Sequence, residues 1–137
     1  MRVAIRVLTG VSAAAVALAA LAPPAAAAPS WKWGRIVSAD GMGAAWGKVT
    51  ARGAGLVVSG YVDDTRGRGC TWLLIRYQDS GNGRWRTHGV YNCVPGAGSF
   101  SKRVGDPLQI KAQVCRGTAR RPVDECSRWK TVFTQGG

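Results

Sequence analysis

The side chains able to do chemistry are few, and their spacing argues against most catalysis. His88 is the chain's one histidine, set among 7 carboxylates and 19 lysines and arginines. A glycosidase needs two carboxyl groups facing each other across a sugar. Here the acids come as sequence neighbours, Asp63 with Asp64 and Asp124 with Glu125, and neighbours on a strand point to opposite faces. In loops such doublets serve as solvated counter-charges or caps. None of the seven serines in residues 28–137 sits in a Gly-x-Ser-x-Gly elbow, and only His88 could be their base. A small nuclease needs a histidine with a glutamate and an arginine near a phosphate, and His88 and Glu125 fall on different hairpins. A histidine in a strand is ordinarily a packed or surface residue, so no catalytic residue is assigned. Cys70, Cys93, Cys115 and Cys126 lack the tight Cys-x-x-Cys pairs of a zinc site, and no metal or cofactor is implied.

Binding chemistry is richer. Arg66 and Arg68 precede Cys70; Arg84, Trp85 and Arg86 sit together near a turn; Lys102 with Arg103, and Arg116 with Arg120 and Arg121, crown other turns. Guanidinium groups suit phosphate and sulfate, and an exposed tryptophan between two arginines can stack on a base or a sugar ring. The plainer reading is that loops collect charge for solvation and that a cation covers the Trp85 ring for local order. The contact residues expected from sequence are Arg66, Arg68, Arg84, Trp85, Arg86, Arg120 and Arg121.

Residues 70–93 must position the Trp85 triplet. Two runs rich in β-branched and aromatic residues flank a cluster of turn formers, Ser80, Gly81, Asn82 and Gly83, which is a hairpin signal. Pairing Asp79 with Arg84 across that loop puts Cys70 opposite Cys93, a hairpin stapled at its open end. One face then carries Leu73 with Val90, Ile75 with His88 and Tyr77 with Arg86. The other carries Trp72 with Tyr91, Leu74 with Gly89 and Arg76 with Thr87. Both faces are partly apolar near the cysteines, which suits a central sheet position with a wet tip.

A second hairpin runs over 45–63 and turns at Gly53 and Ala54. Pairing Arg52 with Gly55 collects Ala45, Val49, Ala51, Leu56, Val58 and Val62 on one face, with Gly47 opposite Gly60. Trp46 and Tyr61 become a cross-strand aromatic pair on the other face, worth about 0.2–1 kcal/mol, alongside Lys48 opposite Ser59. Upstream, Trp31 and Trp33 alternate as the packing face of an edge strand, and Asp40, Gly41, Met42 and Gly43 read as a turn. Residues 94–98 read as a loop, 99–104 as a strand and 105–107 as a turn. From Leu108 the alternation is clean, with Leu108, Ile110, Ala112 and Val114 facing in. The last strand alternates too, and pairing Cys115 with Cys126 puts Ala112 beside Trp129 and Leu108 beside Phe133, with the second staple on the outer face.

The expected disulfides are therefore Cys70–Cys93 and Cys115–Cys126, each closing a short loop and contributing about 3 kcal/mol in the chain-entropy account. No segment of residues 28–137 sustains a helical period. The fold class is all-β: an antiparallel β-sandwich or flattened barrel of seven or eight strands.

Residues 1–27 have the form of a cleaved signal peptide. Arg2 and Arg6 supply the charged start, 7–21 the apolar run, Pro23 and Pro24 a helix break, and Ala25 to Ala27 a small-residue cleavage site. Residues 28–137 then form a single exported domain. Removing Arg2 and Arg6 from 19 basic residues leaves 17 against 7 acidic ones, a formal net charge of +10. Such an excess attracts polyanions and anionic surfaces.

The Ala-rich leader, the run Gly60, Tyr61, Val62, Asp63, Asp64, Thr65 leading into Cys70, and alternating strands ending in Cys115 and Cys126 resemble small secreted two-disulfide β-proteins of actinomycetes. That resemblance implies export and an all-β fold and carries no settled activity. The function expected from the residues is a secreted, monomeric, cationic binding module for an anionic cell-surface polymer or another polyanion, nucleic acid included, with no membrane span after cleavage. The alternatives are an inhibitor or antagonist that presents the stapled loop to a protein, and a small nuclease.

Overall fold

In the computed structural model, residue 21 and residues 27–65 and 68–136 are described. The expected signal peptide lies almost wholly outside them, as does Arg66. Nine strands form in chain order: β1 (Ser30–Val37), β2 (Gly43–Arg52), β3 (Gly55–Asp64), β4 (Cys70–Asp79), β5 (Trp85–Asn92), β6 (Gly96–Gly105), β7 (Pro107–Gly117), β8 (Pro122–Asp124) and β9 (Lys130–Thr134). They build two antiparallel sheets, one ordered β1-β2-β3-β6 and the other β5-β4-β7-β8, with β9 also on β7. The all-β, two-sheet, two-disulfide expectation holds. The ninth strand is the three-residue β8, too short to carry an alternation in sequence. No helix among the described residues is long and apolar enough to cross a membrane.

Both hairpin registers follow the alternation. β2 and β3 pair from Gly43 opposite Asp64 to Arg52 opposite Gly55, which turns Ala45, Val49, Val58 and Val62 inward, each 1% exposed or less. β4 and β5 pair from Thr71 opposite Asn92 to Gln78 opposite Trp85. The tip closes as a capped turn: Asp79 N–H donates to the Arg84 carbonyl at 2.8 Å, and the Asp79 carboxylate accepts from Gly81 N–H at 2.7 Å. β4 is central, between β5 and β7, while β5 is an edge. Leu73, Ile75, Ile110, Ala112 and Val114 meet the first sheet's inner face in one core.

The disulfides are Cys70–Cys93 and Cys115–Cys126. Both staples lie on the outer side of their sheet, where Cys70, Trp72 and Cys115 form a second small core. Trp72 caps it, its indole N–H donating to the Thr118 carbonyl at 2.7 Å and its ring 4.8 Å from that of Tyr91. Cys115 therefore points outward from the sandwich yet is fully buried.

The register expected for the last strand holds at the disulfide and then slips. Ser127 N–H still donates to the Val114 carbonyl at 2.8 Å, but Ala112 faces Lys130 rather than Trp129, and Phe133 faces Ile110 rather than Leu108. Leu108 and Trp129 are each 37% exposed, while Pro107 is buried. The slip seats Phe133 against the Trp31 ring at 5.2 Å, closing the sandwich edge, and brings Val132 and Phe133 onto the core. Packing across the sheets outweighs continuation of the staple's register.

One end of the sandwich is closed by a buried charge cluster. Asp64, read as a solvated loop acid, is 4% exposed, and Arg116, read as a turn cation, is 5% exposed. Arg116 Nη1 lies 2.5 Å from Asp64 Oδ1 and 2.6 Å from Thr71 Oγ1, and Nη2 donates to the Arg68 carbonyl at 3.0 Å. Its Nε is 3.4 Å from Asp40 Oδ2. Burial by itself raises the Asp40 carboxyl, but hydrogen bonds from Ser38 and the Met42 N–H, with the Arg116 charge, outweigh it and hold that group below its ordinary value. Both residues have inward parity: Asp64 follows Val62 by two on β3, and Arg116 follows Val114 by two on β7.

Candidate functional site

Of the residues singled out in sequence, those described do not gather into one patch. Arg84 and Arg86 lie at the Asp79 end of β4, exposed, while Arg68, Arg120 and Arg121, also exposed, lie at the Cys70 end. Ten residues of strand separate the two groups, about 30 Å at 3.3 Å per residue. Trp85 shares the face of Gln78 and Arg76, whereas Arg84 and Arg86 take the opposite parity beside Asp79 and Tyr77. The cations over its ring are instead Arg76, at 4.7 Å, and Lys111, at 5.5 Å. Trp85 is half-buried beneath its own chain's charges, and its ring orders this face.

The catalytic alternatives fare no better in space. His88 pairs with Ile75 on β5, and burial, then the nearby Lys102 charge, lowers its pKa from 6.5. Glu125 is exposed on the other flank of the sheet, next to Cys126 and bonded through its carbonyl to Ala39 N–H. The two groups a nuclease would need are not brought together. Among the described residues no three of His, Cys, Asp and Glu gather as a metal-ligand set.

A different constellation lies on the outer face of the first sheet. β1 pairs with β2 so that Lys32 stands directly opposite Lys48, and Lys48 in turn opposite Ser59. The next outward row is Trp46, Tyr61 and Ser99. The Trp46 and Tyr61 rings lie 5.8 Å apart, tilted by 31°, and Tyr61 is 47% exposed. Between Trp33 and Ile36 the register shifts, leaving Gly34 and Arg35 opposite Trp46 alone. A bulge of this kind re-aims a side chain. Here Arg35 swings over the Trp46 ring at 5.2 Å and reaches Asp63 at 3.7 Å.

Lys32, Trp46, Lys48, Ser59, Tyr61 and Ser99 line a groove of about 550 Å³. Its floor is thin because Gly47 and Gly60 face each other on the intervening inward row. A Cβ on Gly47 would meet the Ser59 carbonyl oxygen, and one on Gly60 the Trp46 carbonyl oxygen, each at 2.0 Å. Through this side-chain-free window the groove reaches the core rings Trp33 and Phe100, 6.4 Å apart. The indole N–H of Trp33 is buried and has no hydrogen-bond partner among the described residues. Ion pairs among the described residues involve Arg35 and Arg116 as the cations, so neither Lys32 nor Lys48 has a carboxylate partner there.

No family model matches the chain, and no curated protein or solved structure matches it either. The groove offers a tilted aromatic platform, two uncompensated ammonium groups one row away, and hydroxyls from Ser59 and Ser99. The chemistry on offer is ring contact, pairing of ammonium groups with an anion and hydrogen bonding from hydroxyls. The Trp46 and Tyr61 pairing was legible from hairpin register. Lys32 was missed because its neighbour Lys48 belongs to another strand, although its place between Trp31 and Trp33 already marks it as outward-facing.

Proposed function

We propose that this chain is an exported, cationic binding module that holds an anionic polymer in the groove over β1, β2 and β3. The observation that carries the reading is Lys32 opposite Lys48 beside the Trp46 and Tyr61 rings. Like charges directly across a strand pair are destabilising, so two such lysines without a carboxylate partner among the described residues suit an anion supplied from outside. The excess of basic residues adds long-range attraction for the same class of ligand. Two disulfides fit an oxidising compartment, in keeping with the signal peptide expected in residues 1–27. The scattered arginines then serve encounter and solubility, and the groove serves residence.

The test is retention on immobilised anionic polymers at rising salt. Affinity is expected to fall steeply as the screening length shrinks from about 30 Å at 0.01 M to about 8 Å at 0.15 M. Replacing Lys32 and Lys48 by glutamine is expected to flatten the plot of log affinity against log salt by about 0.7–0.9 for each lysine that meets an anionic group. Failure to bind any anionic polymer at low salt refutes the reading.

A further inference from the structure

We infer that the polymer is a carboxylated polysaccharide, a chain of uronic-acid type, with a pyranose face on Trp46 and Tyr61 and its carboxylate between Lys32 and Lys48. This inference rests on the proposed polyanion binding and names the ligand class of the same groove.

Three features select that class. The platform and the lysine pair stand on adjacent outward rows of one face, two strand residues or about 6.4–6.8 Å apart. Lysine side chains span that gap, so one ligand unit must present an apolar face and an anionic group close together. A pyranose does so when its polarised C–H bonds lie on the negative faces of the rings and its ring carbon carries a carboxylate. Second, the aromatic surface suits a puckered sugar better than a flat base. The two rings are tilted by 31°, so they offer no broad coplanar surface to a flat base, while the Tyr61 ring, 47% exposed, stays open to a sugar face. Third, the polar groups are those of a hydroxyl-rich, moderately charged ligand. Ser59 and Ser99 line the groove and Ser101 stands next to Ser59 across the pair, while the Asp63 carboxylate beyond them is already paired with Arg35.

The experiment compares the full chain against polygalacturonate, the same polymer with its carboxyl groups reduced to alcohols, polyphosphate and single-stranded DNA, at matched ionic strength. The variants are Tyr61→Ala, at an exposed site where folding is easily checked by circular dichroism, and the pair Lys32→Gln with Lys48→Gln. The expected result is tightest binding to polygalacturonate and at least tenfold weaker binding to the reduced polymer. Tyr61→Ala is expected to lower polygalacturonate affinity at least tenfold with an unchanged salt slope, and the lysine pair to reduce the slope. Equal binding to every polyanion, indifferent to Tyr61→Ala, overturns this inference and leaves the cationic module standing. Tyr61-dependent preference for DNA also overturns it, in favour of a nucleic-acid ligand. No binding to any polymer at low salt removes both readings together.

Discussion

Replacing Arg116 by methionine tests the buried cluster that joins the two sheets. The guanidinium is 5% exposed and holds Asp64, itself 4% exposed, with Thr71 and the Arg68 carbonyl, and its Nε faces Asp40. Methionine keeps the length and loses the charge, leaving the Asp64 carboxylate buried with the Thr71 hydroxyl at 3.0 Å. Breaking a buried pair from one side costs about 3–5 kcal/mol, set against a typical net stability of about 5–15 kcal/mol. With a urea slope of about 2 kcal/mol/M, a loss of about 4 kcal/mol moves the midpoint down by about 2 M. The assay is equilibrium urea unfolding with the disulfides intact, followed by tryptophan fluorescence and circular dichroism. Adding Asp64→Leu to Arg116→Met removes the stranded charge and is expected to recover most of the loss, because replacing a whole buried pair by apolar groups is often close to neutral. A midpoint for Arg116→Met within about 0.5 M of the parent, or a double variant no more stable than the single, refutes the assignment of Arg116 as the charge that compensates Asp64.

Two further outcomes follow from the geometry. Gly60→Ala forces a Cβ to within 2.0 Å of the Trp46 carbonyl oxygen at a φ of +155°, so β2 and β3 must part; a loss of about 1–3 kcal/mol or more is expected in the same urea assay, together with weaker polymer binding, and unchanged stability would contradict the close approach. His88 is expected to titrate below 6.5, because burial and then Lys102 disfavour its charged form. The unfolded chain therefore takes up the proton first as pH falls, and this contribution to stability, full above pH 6.5, is lost as pH drops through the folded value. With one histidine in the chain, an NMR titration of the imidazole protons is unambiguous, and a value at or above 6.5 refutes the burial argument.

What could be read in advance was the local pairing. Asp79 opposite Arg84 and Arg52 opposite Gly55 each anchor a ladder of period two, so one turn position settles every pair along the hairpin, including Cys70 with Cys93 and Trp46 with Tyr61. The same logic failed after Cys126, where no tight turn transmits the register. There Phe133 moved to meet Trp31 on another sheet, a contact between residues about a hundred positions apart that no alternation within β9 encodes. The acids were misread for a related reason. Asp64 looks like a loop acid beside Asp63, yet its buried partner Arg116 lies 52 residues away.

The candidate site divides along the same line. Chain order alone disclosed that Trp85 is flanked by arginines, and strand parity then separated them, because adjacent residues on a strand cannot share a face. Which cations reach an aromatic ring was decided by sheet neighbours: Arg76 from β4 and Lys111 from β7 over Trp85, and the bulged Arg35 over Trp46. The Lys32 and Lys48 pair arises only when β1 is laid beside β2. Alternation, turns and cysteine spacing are one-dimensional quantities, so they fixed hairpins, staples and the all-β class. A groove needs side chains from several strands on one surface, and that juxtaposition depends on sheet order and on which core contacts win the register.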